Sequence, residues 1–179
     1  MNATAESQAL AERALKLLLP CREDYLAGDG HAARDALIGA NFAGQAINLT
    51  RTTAAHAMSY RLTKLYNLPH GHAVAICLPG VWRYIARHTA ACTDSRGEGY
   101  LSDALARLAG LMGCTDSEDA AARFERMLAE MEILPPALDA SALDELADSV
   151  NAARLSNTPV PMNRDALYHL YEGLVNGGR

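Results

Sequence analysis

Apolar residues recur at three- and four-residue spacing along almost the whole of this chain, and no strand-length run alternates β-branched or aromatic residues with polar ones. Period 3.6 lays an apolar stripe along one side of a helix, whereas a half-buried strand needs period two. The chain is therefore expected to be all-α, a helical bundle of about eight to nine helices joined by short turns. At 179 residues, 50% of them hydrophobic, it is long enough to bury one substantial core.

The punctuation predicts where the helices lie. The first spans Thr4 to about Leu26, capped by Thr4, bent at Pro20 and ended by Gly28-Asp29-Gly30. The second runs from about His31 to Leu49; its small residues Gly39, Ala40, Ala43, Gly44 and Ala46 mark it as a central, buried helix that another can approach closely. A third covers Thr52 to Tyr66. A fourth starts near His70 and runs toward Pro79, with a further helix through Trp82, Tyr84 and Ile85 and a polar loop from Thr93 to Gly99. Amphipathic helices follow at Tyr100–Met112, Ser117–Met131, Ser141–Ala153 and Arg164–Val175, with Asp116 capping the second and Asp139 or Ser141 the third.

Several function classes are disfavoured at once. The net charge of -5, with signs interspersed, provides no basic stripe for nucleic acid. No apolar run approaches the roughly 20 residues needed to span a bilayer, and MNATAESQ lacks the basic and apolar regions of a signal peptide, so a cytoplasmic protein with no membrane partner is expected. Cys21, Cys77, Cys92 and Cys114 form no C-x-x-C and are read as reduced, buried thiols. No Gly-rich strand-turn-helix fingerprint for a dinucleotide is present.

The segment TRTTAAHAMSYRLTKLYNLPHGHAVAICLPGVWRY concentrates the chemistry, because His56, His70 and His72 bracket one helix-turn-helix junction. An imidazole inside one helix and another at the start of the next can converge on one ion, and borderline divalent metals such as Fe(II) and Zn(II) accept imidazole nitrogen readily. Structural histidines would give the same spacing. Asp165-x-x-x-His169 also places a carboxylate and an imidazole on one helical face and is read as structural.

Ala55-His56-Ala57-Met58, followed by Pro69-His70-Gly71 and an apolar helix ending in Leu78-Pro79, resembles the signature of the group III, iron-containing alcohol dehydrogenases. ARDALIGANFAGQAINLT and SNTPVPMNRDALYHLYEGL look like two further segments of that family, so the resemblance covers nearly the whole chain. It implies a dehydroquinate synthase-like C-terminal metal-binding domain across residues 1–179, in which His56 and His70 are two iron ligands. The family's other two ligands, and the Rossmann-like domain that holds most of the NADH or NADPH, would lie upstream of Met1. The resemblance thus implies reduction of an aldehyde by NAD(P)H with Fe(II), or alternatively zinc, and an isolated chain without turnover. A homodimer is a further expectation.

Departures from the family pattern refine this. Tyr60 stands where many members carry a second histidine; it shares a helical face with His56 and would either hydrogen-bond substrate or simply pack. His72 should point away from His70 and would line the cleft or contact cofactor. Arg51, with Thr52 and Thr53 at a helix start, would clamp an anionic aldehyde or serve as a cap and surface charge. TRTTAAHAMSY together with PHGHAVAICLP looks like a subgroup tied to phosphonate metabolism, the phosphonoacetaldehyde reductases. Two other readings stay open: a zinc-dependent relative of glycerol dehydrogenase or dehydroquinate synthase, and a non-enzymatic helical interaction module.

Overall fold

A computed structural model of the chain describes residues 3–177; Met1 and Asn2, at the start of the MNATAESQ segment, lie outside that range. Among the described residues there are nine α-helices and two short 3-10 turns, with no strand, as the periodicity requires. No described helix is long and apolar enough to cross a membrane.

The chain divides into two compact units. Among the described residues, one comprises residues 3–51 together with Gly110–Gly113; the other holds Thr52–Ala109 and residues 114–177.

In the first unit, α1 (Ala5–Leu26) and α2 (Gly30–Leu49) form a hairpin. Thr4 caps α1 reciprocally with Ser7: the Ser7 amide donates to Thr4 Oγ1 at 3.1 Å and the Thr4 amide to Ser7 Oγ at 2.9 Å. Gly28 supplies the positive φ of +86° that turns the chain, and Asp29 caps α2 by accepting from the Ala32 amide at 2.8 Å. The expectation of a centrally buried α2 is not met. Only Ala32, Gly39 and Ala46 are buried, while Leu37, Ile38, Ile47 and Leu49 are exposed.

The close approach predicted from the small residues is real at one position. A Cβ on Gly39 would meet Leu18 Cγ at 2.8 Å, whereas one on Gly44 would meet open space. Alanine normally stabilises a helix interior by about 0.5–1 kcal/mol over glycine. Gly44→Ala should therefore raise the urea midpoint of unfolding. At Gly39 the overpacking cost of roughly 1–3 kcal/mol outweighs that gain, so Gly39→Ala should lower the midpoint. Two equal rises would refute the packing argument.

The second unit carries the main core. Its helices are α3 (Ala54–Tyr66), α4 (His70–Arg87), α5 (Gly97–Leu111), α6 (Ser117–Glu130), α7 (Leu143–Asp148), α8 (Ala152–Leu155) and α9 (Arg164–Gly177). Helix α4 packs on α3, α6 and α9, while α7 packs on α9 and α3. Ala54, Met58 and Leu62, one turn apart on α3, meet Ala73, Ile76, Cys77 and Val81 of α4 and Leu167 and Tyr171 of α9. Asn67, at φ 50°, ends α3 in the left-handed region, and Pro69 opens α4, so the two helices reverse over three residues.

Three boundaries differ from the sequence reading. Pro79 does not end α4, which continues to Arg87. An interior proline costs about 3 kcal/mol. Each fully buried large side chain contributes about 1.5–3 kcal/mol, and α4 buries Ile76 and Cys77 before the proline and Val81 and Trp82 after it. Continuity therefore wins. Conversely, Ser141–Ala153 is not one helix but a 3-10 turn at Ala140–Ala142, then α7 and α8. Ser149 Oγ donates to the Leu146 carbonyl at 2.8 Å and Asn151 Oδ1 accepts from the Arg154 amide at 3.2 Å, so polar side chains compete for the backbone and break the helix. The polar loop from Thr93 to Gly99 is shorter than expected, because α5 begins at Gly97.

The cysteines are all free thiols, as read, but only Cys77 is buried; burial pushes its pKa up to about 12. The other three are half-buried.

Candidate functional site

Helix α3 begins at Ala54 rather than Thr52, and its start is held from elsewhere in the chain. Thr53 occupies the cap position without a side-chain cap bond. Instead, buried Thr158 accepts from the Ala54 amide at 3.0 Å, and Asn157 Nδ2 donates to the Thr52 carbonyl at 3.3 Å. That anchorage fixes the helix on which His56 and Tyr60 follow one turn apart.

His70, at the first position of α4, completes the group. Its ring lies 5.6 Å from that of His56, inclined at 61°, and 5.3 Å from that of Tyr60, near-parallel at 26°. Ser59, fully buried between them in sequence, donates its hydroxyl to the His56 carbonyl at 2.9 Å and lies 3.4 Å from His70 Nδ1. With its proton committed to a carbonyl, Ser59 Oγ can only accept from His70. In a neutral ring the proton then sits on Nδ1, and the Nε2 lone pair is the one left to bind a cation.

His56 is half-buried, and its pKa is lowered, first by loss of hydration and then by the charges of His70 and Arg154. A neutral imidazole is thus favoured at His56. Two neutral imidazoles facing each other suit Fe(II) or Zn(II) but supply only part of a coordination sphere. Among the described residues no group of three or more His, Cys, Asp or Glu side chains is arranged to hold an ion.

The remaining predicted residues divide. Tyr60 lies beside His70 and is 42% exposed, so its ring is not core packing. His72 does not converge on the pair; its Nε2 donates to the Leu134 carbonyl at 2.7 Å. Thr52 and Thr53 are half-buried just before α3, and Arg51 is exposed at the end of the hairpin unit. Asp165 and His169 form no site: both are exposed, and His169 contacts Glu172 at 3.1 Å.

Sequence reading missed Ser59 and Arg154. Ser59 was discoverable, since a hydroxyl three residues past a helical ligand returns to the preceding turn. Arg154 was not, because it reaches the site only through the break between α7 and α8. Its Nη1 donates to Tyr60 Oη at 2.6 Å, and its guanidinium carbon sits 4.5 Å from the Tyr60 ring centre.

Comparison with known proteins bears directly on this arrangement. Residues 1–175 match the family model described as "Fe-containing alcohol dehydrogenase family, C-terminal". Phosphonoacetaldehyde reductase of Streptomyces viridochromogenes is 37% identical over 142 residues, covering 78% of this chain and 36% of that protein. Lactaldehyde reductase of Escherichia coli is 33% identical over 110 residues, covering 62% of this chain and 26% of that protein. The chain thus spans about a third of the length of these curated relatives. An iron-containing alcohol dehydrogenase from Thermococcus thioreducens superposes with a TM-score of 0.83 at 23% identity, over 98% of this chain and 46% of that one, a likeness of fold.

Proposed function

Since the chain belongs to the iron-containing alcohol dehydrogenase family, as its C-terminal all-helical domain, we propose that it supplies the metal-binding half of an NAD(P)-dependent reductase of a small anionic aldehyde, phosphonoacetaldehyde foremost. The observation that carries this is the facing pair His56 and His70, with Ser59 holding His70 in its ligating tautomer. The other half of the site, and most of the nucleotide contact, belong to an upstream nucleotide-binding domain of the kind the relatives' greater length accommodates.

Fe(II), or alternatively Zn(II), would be held by His56 and His70 together with ligands from that domain and would supply Lewis-acid chemistry toward the aldehyde oxygen, while NADH or NADPH, held mainly by that domain, would supply the hydride. The chain's own residues orient the substrate. Because Arg154 donates to Tyr60 Oη, the phenolic hydrogen is left free to point at the substrate oxygen. Arg51, Thr52 and Thr53 contribute a charge and two hydroxyls toward the substrate's anionic end, and His72 borders the cofactor side.

The test joins this chain to a nucleotide-binding domain of the family, supplies Fe(II), and follows NADH and NADPH oxidation with phosphonoacetaldehyde and with propionaldehyde, for the wild type and Arg51→Ala. Preference for the phosphonate, diminished in Arg51→Ala, supports substrate and clamp together. Equal or better turnover of propionaldehyde leaves a general aldehyde reductase and removes Arg51 from the site. The chain by itself should show no turnover; activity from it alone would contradict the two-domain reading.

A further inference from the structure

Most arginines near this core answer to carboxylates. Arg61 pairs with Glu145, Arg83 with Glu118 and Glu125, Arg87 with Glu118, Arg96 with Asp94, and Arg164 with Asp144 and Asp148. Arg154 is different. Among the described residues no carboxylate pairs with it, and its contacts are the ring and hydroxyl of Tyr60.

We propose that Arg154 is an anion-recognising residue of this site, in addition to the Arg51 segment: stacked over Tyr60 near His70 and lacking a carboxylate partner among the described residues, it takes the tetrahedral oxyanion of a small phosphonate substrate. This rests on the aldehyde-reductase reading above and gives Arg154, there only the partner of Tyr60, a direct contact with the substrate's anionic end.

The geometry suits the task. A guanidinium offers five N–H donors in a planar fork. Stacking on Tyr60 and the Nη1–Oη bond fix the plane of that fork and consume one donor, leaving the rest for two-point contact with an oxyanion. Ordering of this kind lowers the entropy lost when a ligand is clamped. The local charge points the same way: the Arg154 guanidinium carries a full positive charge beside the site with no carboxylate paired to it among the described residues, so an anion is its natural complement. A purely structural role explains less, since α8 buries none of its residues and Arg154 is exposed.

Two measurements test the proposal. The first is an NMR titration of the chain with methylphosphonate at low salt, for the wild type, Arg154→Met, Arg154→Lys and Arg51→Ala. Loss of charge-assisted hydrogen bonds worth about 1.5–3 kcal/mol should weaken binding at least ~10-fold in Arg154→Met, with Arg154→Lys intermediate because it keeps the charge and loses the fork. The second is the ratio of kcat/KM for phosphonoacetaldehyde to that for propionaldehyde in the joined enzyme, which should fall at least ~10-fold in Arg154→Met. Unchanged methylphosphonate binding, binding lost in Arg51→Ala but kept in Arg154→Met, or an unchanged substrate ratio would overturn the assignment. If the wild type reduces no aldehyde, the reductase reading fails, and the titration still decides Arg154.

Discussion

In the chain joined to a nucleotide-binding domain, alanine at His56 or at His70 is expected to remove iron and aldehyde reduction together. Each histidine is read as one of only two ligands from this domain, so loss of either leaves a single imidazole on this side of the ion. Disturbing groups that merely orient ligands typically costs 10–100-fold in metal affinity or activity; loss of a ligand itself should exceed ~100-fold in retained iron and in kcat/KM. Ser59→Ala provides the graded comparison. It frees the His70 tautomer while keeping both imidazoles, so a loss of roughly 10–100-fold is expected. The melting temperature separates chemistry from folding, because His70 is exposed and its truncation should change stability by no more than about 0.5 kcal/mol. Full iron content in both alanine variants, measured on protein purified with Fe(II) and without chelator, would show that the pair is structural. The interaction-module reading would then gain ground.

How far the sequence led can be traced through particular residues. The caps at Thr4 and Asp116 were legible because an N-cap is a local device: an oxygen and an amide two or three residues later settle it. The facing of His56 and His70 was legible because a short turn, Asn67 to Pro69, separates the two helices that carry them. What escaped was decided at long range. Pro79 looked like a terminator until the apolar residues on both sides of it were seen buried in the same core. The small face of α2 announced a close approach, realised at Gly39, but not how much of the helix would be covered. Arg154 lies 94 positions from Tyr60 in the chain, and no spacing rule connects a short helix to a ring at that separation.

Tyr171 should prove the most sensitive core position of the domain. It is fully buried on α9, and its hydroxyl donates to the Met58 carbonyl on α3 at 2.8 Å. Burial pushes its pKa upward, so it remains a neutral donor throughout the ordinary pH range. The contact ties the C-terminal helix to the one that carries His56, Ser59 and Tyr60. Tyr171→Phe keeps the ring and loses one hydrogen bond; the Met58 carbonyl retains its place in the α3 ladder, so about 1 kcal/mol is expected. Tyr171→Ala also empties the ring's volume within Met58, Cys77 and Leu167, and large aromatic truncations of this kind cost about 3–5 kcal/mol. Against a typical total of about 5–15 kcal/mol, the alanine variant should be visibly destabilised in urea, and His56 and His70 should lose their alignment as α3 loosens. The two variants therefore separate fold from ligation: Tyr171→Ala should lower both the unfolding midpoint and iron retention, whereas His70→Ala should lower iron retention alone. A Tyr171→Ala midpoint within error of Tyr171→Phe would mean that the surrounding core collapses around the gap, and that α9 does not hold the histidine helix in place.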